Sequence, residues 1–434
     1  MSRSVKNGPL THFGGTVSIA LAFQAGEAGS RRVFREPETG VIDRSSSVED
    51  PSLRVLFLTP YFRPYLGGIE RAIEQLTFQL QKSGDVEAVG VLTTKYSFPR
   101  VAQPDWADRE TTDENIDIFR LPGFPRRSIP LYSVPLVWFS PFRIRRYLKE
   151  FNPNVIHFVG DGWFWGHLWT WFWFRGRARF VFTPSFHTLP VSRWWLRPFN
   201  AFLCNVVDRV VALTRLEEGR VRRAYMVPKK KQAIIGWGAS PPEVVAERKH
   251  SGDDDALTVL CVGRLGEHKG QMWLLRVLQE ANSRFRRPVR LVLIGRDEGD
   301  EANIVRAVND MGMNELVILT GELSDEELNR WYAESDIFAL FSHYEALGLV
   351  FFEAMAHGLP LLTHDVGANR ELLVRGADVV PTFDRVAAVE SLVRLVNEDK
   401  YREDLGKDAQ AYALAEFTWA ATADKYIQVY RATA

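Results

Sequence analysis

The sequence predicts an α/β protein made of two doubly wound domains that face each other across a cleft. Three observations lead there. The chain has 434 residues, too many for one ordinary domain. Short apolar runs of buried-strand type alternate with amphipathic helical stretches, the pattern of parallel sheets covered on both faces. After Pro228–Ser240 that alternation starts afresh.

The first half reads in order. RVLFLTP at Arg54–Pro60 is a strand that runs into a turn with Gly67–Gly68. IERAIEQLTFQLQKSG spaces Ile69, Ile73, Leu76 and Leu80 as one helix face, and Gly84 stops it. AVGVLTT, NVIHFVG, RFVFTPSF and RVVALT continue the strand series. In the second half LTVLCVG, RLVLIG, LVILTG, IFALFS and PLLTHD are strands with helices between them. Ligands of such sheets sit at the carboxyl ends of the strands, and every polar motif below follows a strand end.

Composition narrows the class. Apolar residues make up 46% and charged residues 25%, as in soluble globular proteins. No run of 18 uncharged apolar residues occurs. Cys204 and Cys261 lack metal-ligand spacing and read as buried thiols in a reducing, cytoplasmic compartment. The net charge of zero hides a division: Leu53–Ser240 carries about 27 basic against 15 acidic residues, and Pro241 onward about 21 against 33. A basic half fits an anionic substrate or membrane surface, or simply attraction to the acidic half. Residues 1–52, rich in Gly, Ser, Arg and Glu, read as a disordered tail or the product of a mis-assigned start. A signal peptide fits less well, since the flanks are poor and no convincing cleavage site follows.

Each motif has a bland reading beside the functional one. Gly67–Gly68 open a helix, so a phosphate can approach the backbone there, although a tight turn needs no ligand. A dinucleotide fingerprint is absent, which weakens the case for a nicotinamide dehydrogenase. VGRLGEHKG at Val262–Gly270 places Arg264 and Lys269 five residues apart in a glycine-containing loop. A guanidinium fork and a lysine point charge suit a diphosphate without a metal; the alternative is a loop of solvated charges. In SHYEALGLVFFEAMAHGLPLL, Glu345 lies in the loop after IFALFS and Glu353 about a turn inside the next helix. That separation suits two parts of one extended ligand rather than a carboxylate pair on one bond. The N–H groups of Leu347, Gly348 and Leu349 begin that helix, where an anion is favoured.

Together these motifs resemble the retaining nucleotide-sugar glycosyltransferases of the GT-B fold, family 4. The similarity runs from about Leu53 to the end. E-A-L-G-L-V-F-F-E-A-M-A-H-G-L-P matches the family's E-x7-E signature, V-G-R-L-x-x-x-K-G its diphosphate loop and G-G-I-E-R its glycine loop. The resemblance implies an acceptor domain at 53–228, a nucleotide-sugar donor domain at 229–418, both Rossmann-like, and a C-terminal helix at 419–434 packing back on the first. It implies Arg264 and Lys269 on the donor pyrophosphate, assisted by N–H groups at Gly67 and Gly68. Glu353 would hold the ribose, and Glu345 with Leu347, Gly348 and Leu349 the donor sugar. Leu323 and Ser324 would lie by the base, and His187 near the reacting centre. Transfer would retain the anomeric configuration and need no cofactor or metal. Two departures stand out: Leu347 where many relatives have Phe, and Trp237–Gly238 where the linker often reads Asn-Gly.

The implied partners are a UDP- or GDP-sugar and a glycan or lipid-linked acceptor, with no nucleic acid. Seven of the 13 tryptophans fall between Trp163 and Trp195, next to arginines. This suggests peripheral attachment to an anionic inner leaflet of the plasma membrane, with Trp194–Trp195 as the exposed piece, or else a core helix at Phe164–Phe174. A sugar epimerase of the same fold and a catalytically inactive nucleotide-sugar-binding scaffold are the competing functions.

Overall fold

The computed structural model describes residues 52–64, 67–97, 101–122, 140–160, 164–185, 197–240 and 256–432. The expected tail at 1–52 lies almost wholly outside the described residues, as do His187, Trp163 and Trp194–Trp195.

The first part of the chain is β1 (Leu53–Leu58), α1 (Gly68–Lys82), β2 (Val86–Thr94), β3 (Tyr96–Ser97), β4 (Val101–Ala102), β5 (Arg109–Thr111), β6 (Asp117–Leu121), α2 (Pro141–Phe151), β7 (Val155–Val159), α3 (Phe164–Phe174), β8 (Arg179–Thr183), α4 (Arg197–Val206), β9 (Arg209–Ala212), α5 (Arg215–Tyr225) and β10 (Gln232–Ile234). Its main sheet runs in the order β10-β9-β8-β7-β1-β2-β6-β5, parallel throughout except for β5 on β6. The sheet reaches Ile234, six residues beyond the boundary expected at 228. Pro228 and the three lysines after it look like a linker, yet the short strand behind them pairs with β9.

The second part is β11 (Leu257–Val262), α6 (Gln271–Asn282), β12 (Val289–Ile294), α7 (Glu301–Asp310), β13 (Val317–Gly321), α8 (Asp325–Glu334), β14 (Ile337–Leu340), α9 (Leu349–Ala356), β15 (Leu361–His364), α10 (Asn369–Leu372), β16 (Ala377–Val380), α11 (Arg385–Asn397), α12 (Asp399–Glu416) and α13 (Trp419–Arg431). Its sheet is all parallel in the order β13-β12-β11-β14-β15-β16. The order reverses at β11 and β14, and their carboxyl ends flank the crevice where ligands of such sheets bind.

Strand periodicity of two separates the first sheet's faces. Val55 and Phe57 face α1 and α13, while Leu56 and Leu58 face a second core with Ile144, Phe174 and Leu203 from α2, α3 and α4. The tryptophan run divides between interior and surface. Trp169, Trp171 and Trp173 pack against this second core, and Trp165 and Phe172 remain exposed.

α13 lies on the first domain. Tyr430 Oη is 2.8 Å from His157 Nδ1, whose Nε2 is 2.8 Å from Thr183 Oγ1, and Tyr426 Oη is 3.3 Å from the same hydroxyl. These groups are buried and mutually satisfied. Burial without a charged partner holds the His157 imidazole neutral, its pKa lowered to about 3. Trp237 is buried and hydrogen-bonds Tyr426. Gly238 has a steric reason: a Cβ there would lie 2.5 Å from the Trp419 nitrogen. The Ala239 N–H donates to Phe417 O at 2.6 Å.

Candidate active site

The loop after β11 carries Arg264 and, at the end of a short 3-10 turn, Lys269. Gly270 follows in the left-handed region at φ +72°, where a Cβ would fall 2.0 Å from Phe341 O. Only glycine permits this approach, and it seats the β11 loop directly against the chain leaving β14. Across that contact Lys269 Nζ donates to Glu345 Oε1 at 2.6 Å, and Ser342 Oγ donates to the same oxygen at 2.7 Å. Glu345 is buried, so its charge is matched by the lysine. Arg264 is more open and pairs with Glu298.

Gly348 starts α9 at φ +71°, Leu347 is buried beneath it, and Leu349 is the first helical residue. The leading N–H groups of a helix have no intrahelical acceptor. Glu353 sits in the second turn, where Tyr332 Oη of α8 donates to its Oε2 at 3.0 Å. Burial raises the Glu353 pKa, opposed by the tyrosine hydrogen bond and the Arg71 charge. Leu323 and Ser324 precede α8; Ser324 caps it by accepting from the Glu327 N–H, and Leu323 packs against the core.

The first domain faces this surface through the Gly67–Gly68 turn. The Gly67 N–H, expected to be offered to a phosphate, is instead donated to Glu70 Oε2 at 3.0 Å. Glu70 stands at the third helical position, from which a carboxylate reaches back to the cap. Burial raises its pKa to about 7, moderated by its own and Gly67's N–H groups and by the charges of Arg264 and Arg296. Those two arginines belong to the second domain, so Glu70 marks where the domains approach each other. Arg71 pairs with Asp325 at 2.8 Å. Arg220 Nη1 donates to Tyr344 Oη at 2.8 Å, next to Glu345. Glu371 accepts from the Arg215 and Leu216 N–H groups at 2.6 and 3.0 Å, capping α5 from the opposite domain.

Most of the residues singled out in the sequence thus meet around two neighbouring strand ends, with Glu353 and Leu323 farther along α9 and α8. Glu70, Tyr332, Arg220 and Glu371 were not singled out. For Glu70 a signal existed, since a glutamate three residues after the cap position is the second half of a capping box. For the others, no local pattern links residues so far apart in sequence. At the end of β8, Ser185 is buried with φ +50°, two residues before His187. Among the described residues, no group of three or more His, Cys, Asp or Glu could hold a metal ion, and no helix is long and apolar enough to cross a membrane.

Comparison with known proteins agrees with this geometry. Residues 245–412 match the family described as glycosyl transferases group 1, and residues 66–241 match glycosyltransferase family 4. The two matches lie side by side along the chain and support the group 1 glycosyltransferase family. The alpha-D-kanosaminyltransferase of Streptomyces kanamyceticus is 26% identical over 56% of this chain and 64% of the relative. Matches to two D-inositol 3-phosphate glycosyltransferases span 41% and 56% of those proteins, so the chain covers less than two thirds of these relatives. The GDP-mannose:cellobiosyl-diphosphopolyprenol alpha-mannosyltransferase of Xanthomonas campestris is 24% identical over 88% of the chain and 97% of the relative. Among solved structures, sucrose-phosphate synthase from Thermosynechococcus elongatus has a TM-score of 0.71 at 21% identity, covering 88% of this chain and 98% of its own. Anabaena Alr3699/HepE, solved with UDP and glucose, has a TM-score of 0.64 at 17% identity, covering 88% and 100%. The two parallel-sheet Rossmann-like domains are those of the GT-B fold.

Proposed function

We propose that the chain is a retaining hexosyltransferase that moves a sugar from a nucleoside diphosphate to a hydroxyl acceptor without a metal. The observation that carries this reading is the buried Lys269–Glu345 pair at the adjoining ends of β11 and β14, with Arg264 on the same loop. UDP in the HepE neighbour supports a uridine donor, and the name of the Xanthomonas relative supports GDP-mannose and a lipid-linked acceptor.

In this reading the diphosphate lies against Arg264, Lys269, the Gly68 N–H and the start of α9. Arg264 exchanges Glu298 for phosphate oxygens, and Lys269 is shared between phosphate and Glu345. Glu353, oriented by Tyr332, accepts from the ribose hydroxyls, and the base rests by Leu323. Glu345 and the backbone of Leu347–Leu349 contact the donor sugar; the role near the reacting centre that the resemblance implies for His187 falls outside the described residues. During transfer the bond from the anomeric carbon to the diphosphate oxygen breaks. The bond to the acceptor oxygen forms on the same face, and the hydroxyl proton passes to the leaving phosphate. The growing phosphate charge is met by cations already in place, which is how fixed charges lower a barrier.

The test is calorimetric binding of UDP, GDP and ADP, with EDTA present, to the native protein and to Glu353→Ala. Micromolar binding of one nucleotide, weakened at least tenfold by the substitution, is the expected result. No binding of any of the three would leave a scaffold with an inherited architecture.

A further inference from the structure

α2, α3 and α4 pack side by side over one face of the first sheet, α2 on α3 and α3 on α4. Their outward surface is unusual in two respects. Phe142 on α2 is 70% exposed, and Trp165, Phe172 on α3 and Phe202 on α4 are between 38% and 44% exposed. These four are all but one of the large aromatic side chains that stand exposed among the described residues, the other being Phe383.

The second respect is charge. Arg143, Arg145, Arg146 and Lys149 are exposed on α2, Arg175 and Arg177 directly after α3, and Arg197 at the start of α4. The exposed carboxylate among the described residues of the three helices is Glu150, and it is already held by Arg109 at 2.5 Å. Two of the arginines lie over the rings: Arg145 is 4.8 Å from the Trp173 ring centre, and Arg175 is 5.4 and 5.1 Å from those of Trp171 and Phe172. A guanidinium stacked on an aromatic ring keeps its N–H edge free for phosphate oxygens while the ring meets hydrocarbon.

The geometry points to this face as a docking surface for an anionic phospholipid bilayer. The arginines and Lys149 would contact lipid phosphates while Phe142, Trp165, Phe172 and Phe202 enter the headgroup–acyl boundary. Charge complementarity selects this occupant. A protein partner would have to match seven basic groups with carboxylates, whereas an anionic leaflet supplies phosphate wherever the helices land. Exposed aromatic rings among basic residues suit an interface that is apolar on one side and charged on the other. The surface comes from α2 as much as from the tryptophan run, so the tryptophan count alone understates it. It does not depend on which sugar is transferred.

The test is flotation of the purified chain with vesicles of phosphatidylcholine alone and with 30% (roughly) phosphatidylglycerol, at low and high salt. The native chain is expected to float with the anionic vesicles, to float poorly with neutral ones and to be released by salt. Each basic residue near such a surface is worth roughly a fivefold change in partition. The triple variant Arg143→Glu, Arg146→Glu, Lys149→Glu should therefore lose at least a hundredfold. Phe142→Ser with Phe172→Ser should weaken binding several-fold even at low salt. Unchanged thermal unfolding would establish that each variant is folded. Equal flotation of the charge variant, or no flotation of the native chain with anionic vesicles, would overturn the proposal. So would a dimer of the native chain that these substitutions dissociate, since the face would then belong to a second copy.

Discussion

Replacing Glu70 with Gln should change how stability depends on pH. The native carboxyl accepts from the Gly67 N–H in a buried setting that raises its pKa to about 7 from an ordinary 4.5. The folded state therefore binds a proton more tightly than the unfolded chain. The associated stability is fully present below pH 4.5 and is lost as pH rises through about 7. Two and a half pH units (roughly) at about 1.4 kcal/mol each give a loss of about 3 to 4 kcal/mol. Glutamine keeps an acceptor for Gly67 and cannot ionise. Chemical unfolding of both proteins between pH 4.5 and 8.5 gives a difference curve in which every other titrating group cancels. It should climb in favour of the variant by about 1.4 kcal/mol per pH unit between pH 5 and 7, then level off. Any offset at pH 4.5 reflects local packing and leaves the climb intact. A flat difference curve would refute the reasoning, because the carboxylate would then be solvated, or matched by Arg264 and Arg296, well enough to ionise freely.

Two other substitutions probe the frame around the site. Gly270→Ala places a methyl 2.0 Å from Phe341 O at a φ of +72°, so it should destabilise the fold by more than about 3 kcal/mol, read as a large drop in the unfolding midpoint. An unchanged midpoint would mean that the β11 and β14 loops are not seated as described. Glu371→Ala removes both acceptors from the start of α5 and should cost about 1 kcal/mol of stability. Small-angle scattering should also show a wider average separation of the domains; an unaltered profile would mean that Glu371 caps the helix without holding them together.

The strand–helix alternation was legible because buried parallel strands are nearly pure apolar runs. All ten runs named in the sequence correspond to strands, Arg54–Pro60 becoming β1 and Pro360–Asp365 becoming β15. The strands that escaped notice are short or partly exposed, such as β5 with its exposed Arg109–Thr111, where no hydrophobic period announces pairing. At the site, residues in glycine-punctuated loops stood out because loop glycines and charges have local causes. Tyr332 did not, since its link to Glu353 arises from α8 lying beside α9 and leaves no trace in spacing. The Gly67 turn shows the converse: a glycine pair signals close approach, but only the fold reveals that Glu70 is what approaches.

The crossing at Ala239 has a practical consequence. The chain passes from the first domain to the second beside Gly238 and returns beside Thr418, and a single parallel bridge between Ala239 and Thr418 joins the two passages there. The first domain is thus not a continuous stretch of sequence, since α13 completes it from the far end of the chain. A shortened protein ending at residue 240 would keep the first sheet but lack α13. It would lay bare His157, Thr183 and the side of α1 that α13 covers. A fragment starting at 256 would carry α13 as an exposed helix with two buried-type tyrosines and nothing to cover them. Separately expressed halves should therefore be insoluble alone and recover only when produced together, or when α13 is grafted by a linker onto the first half.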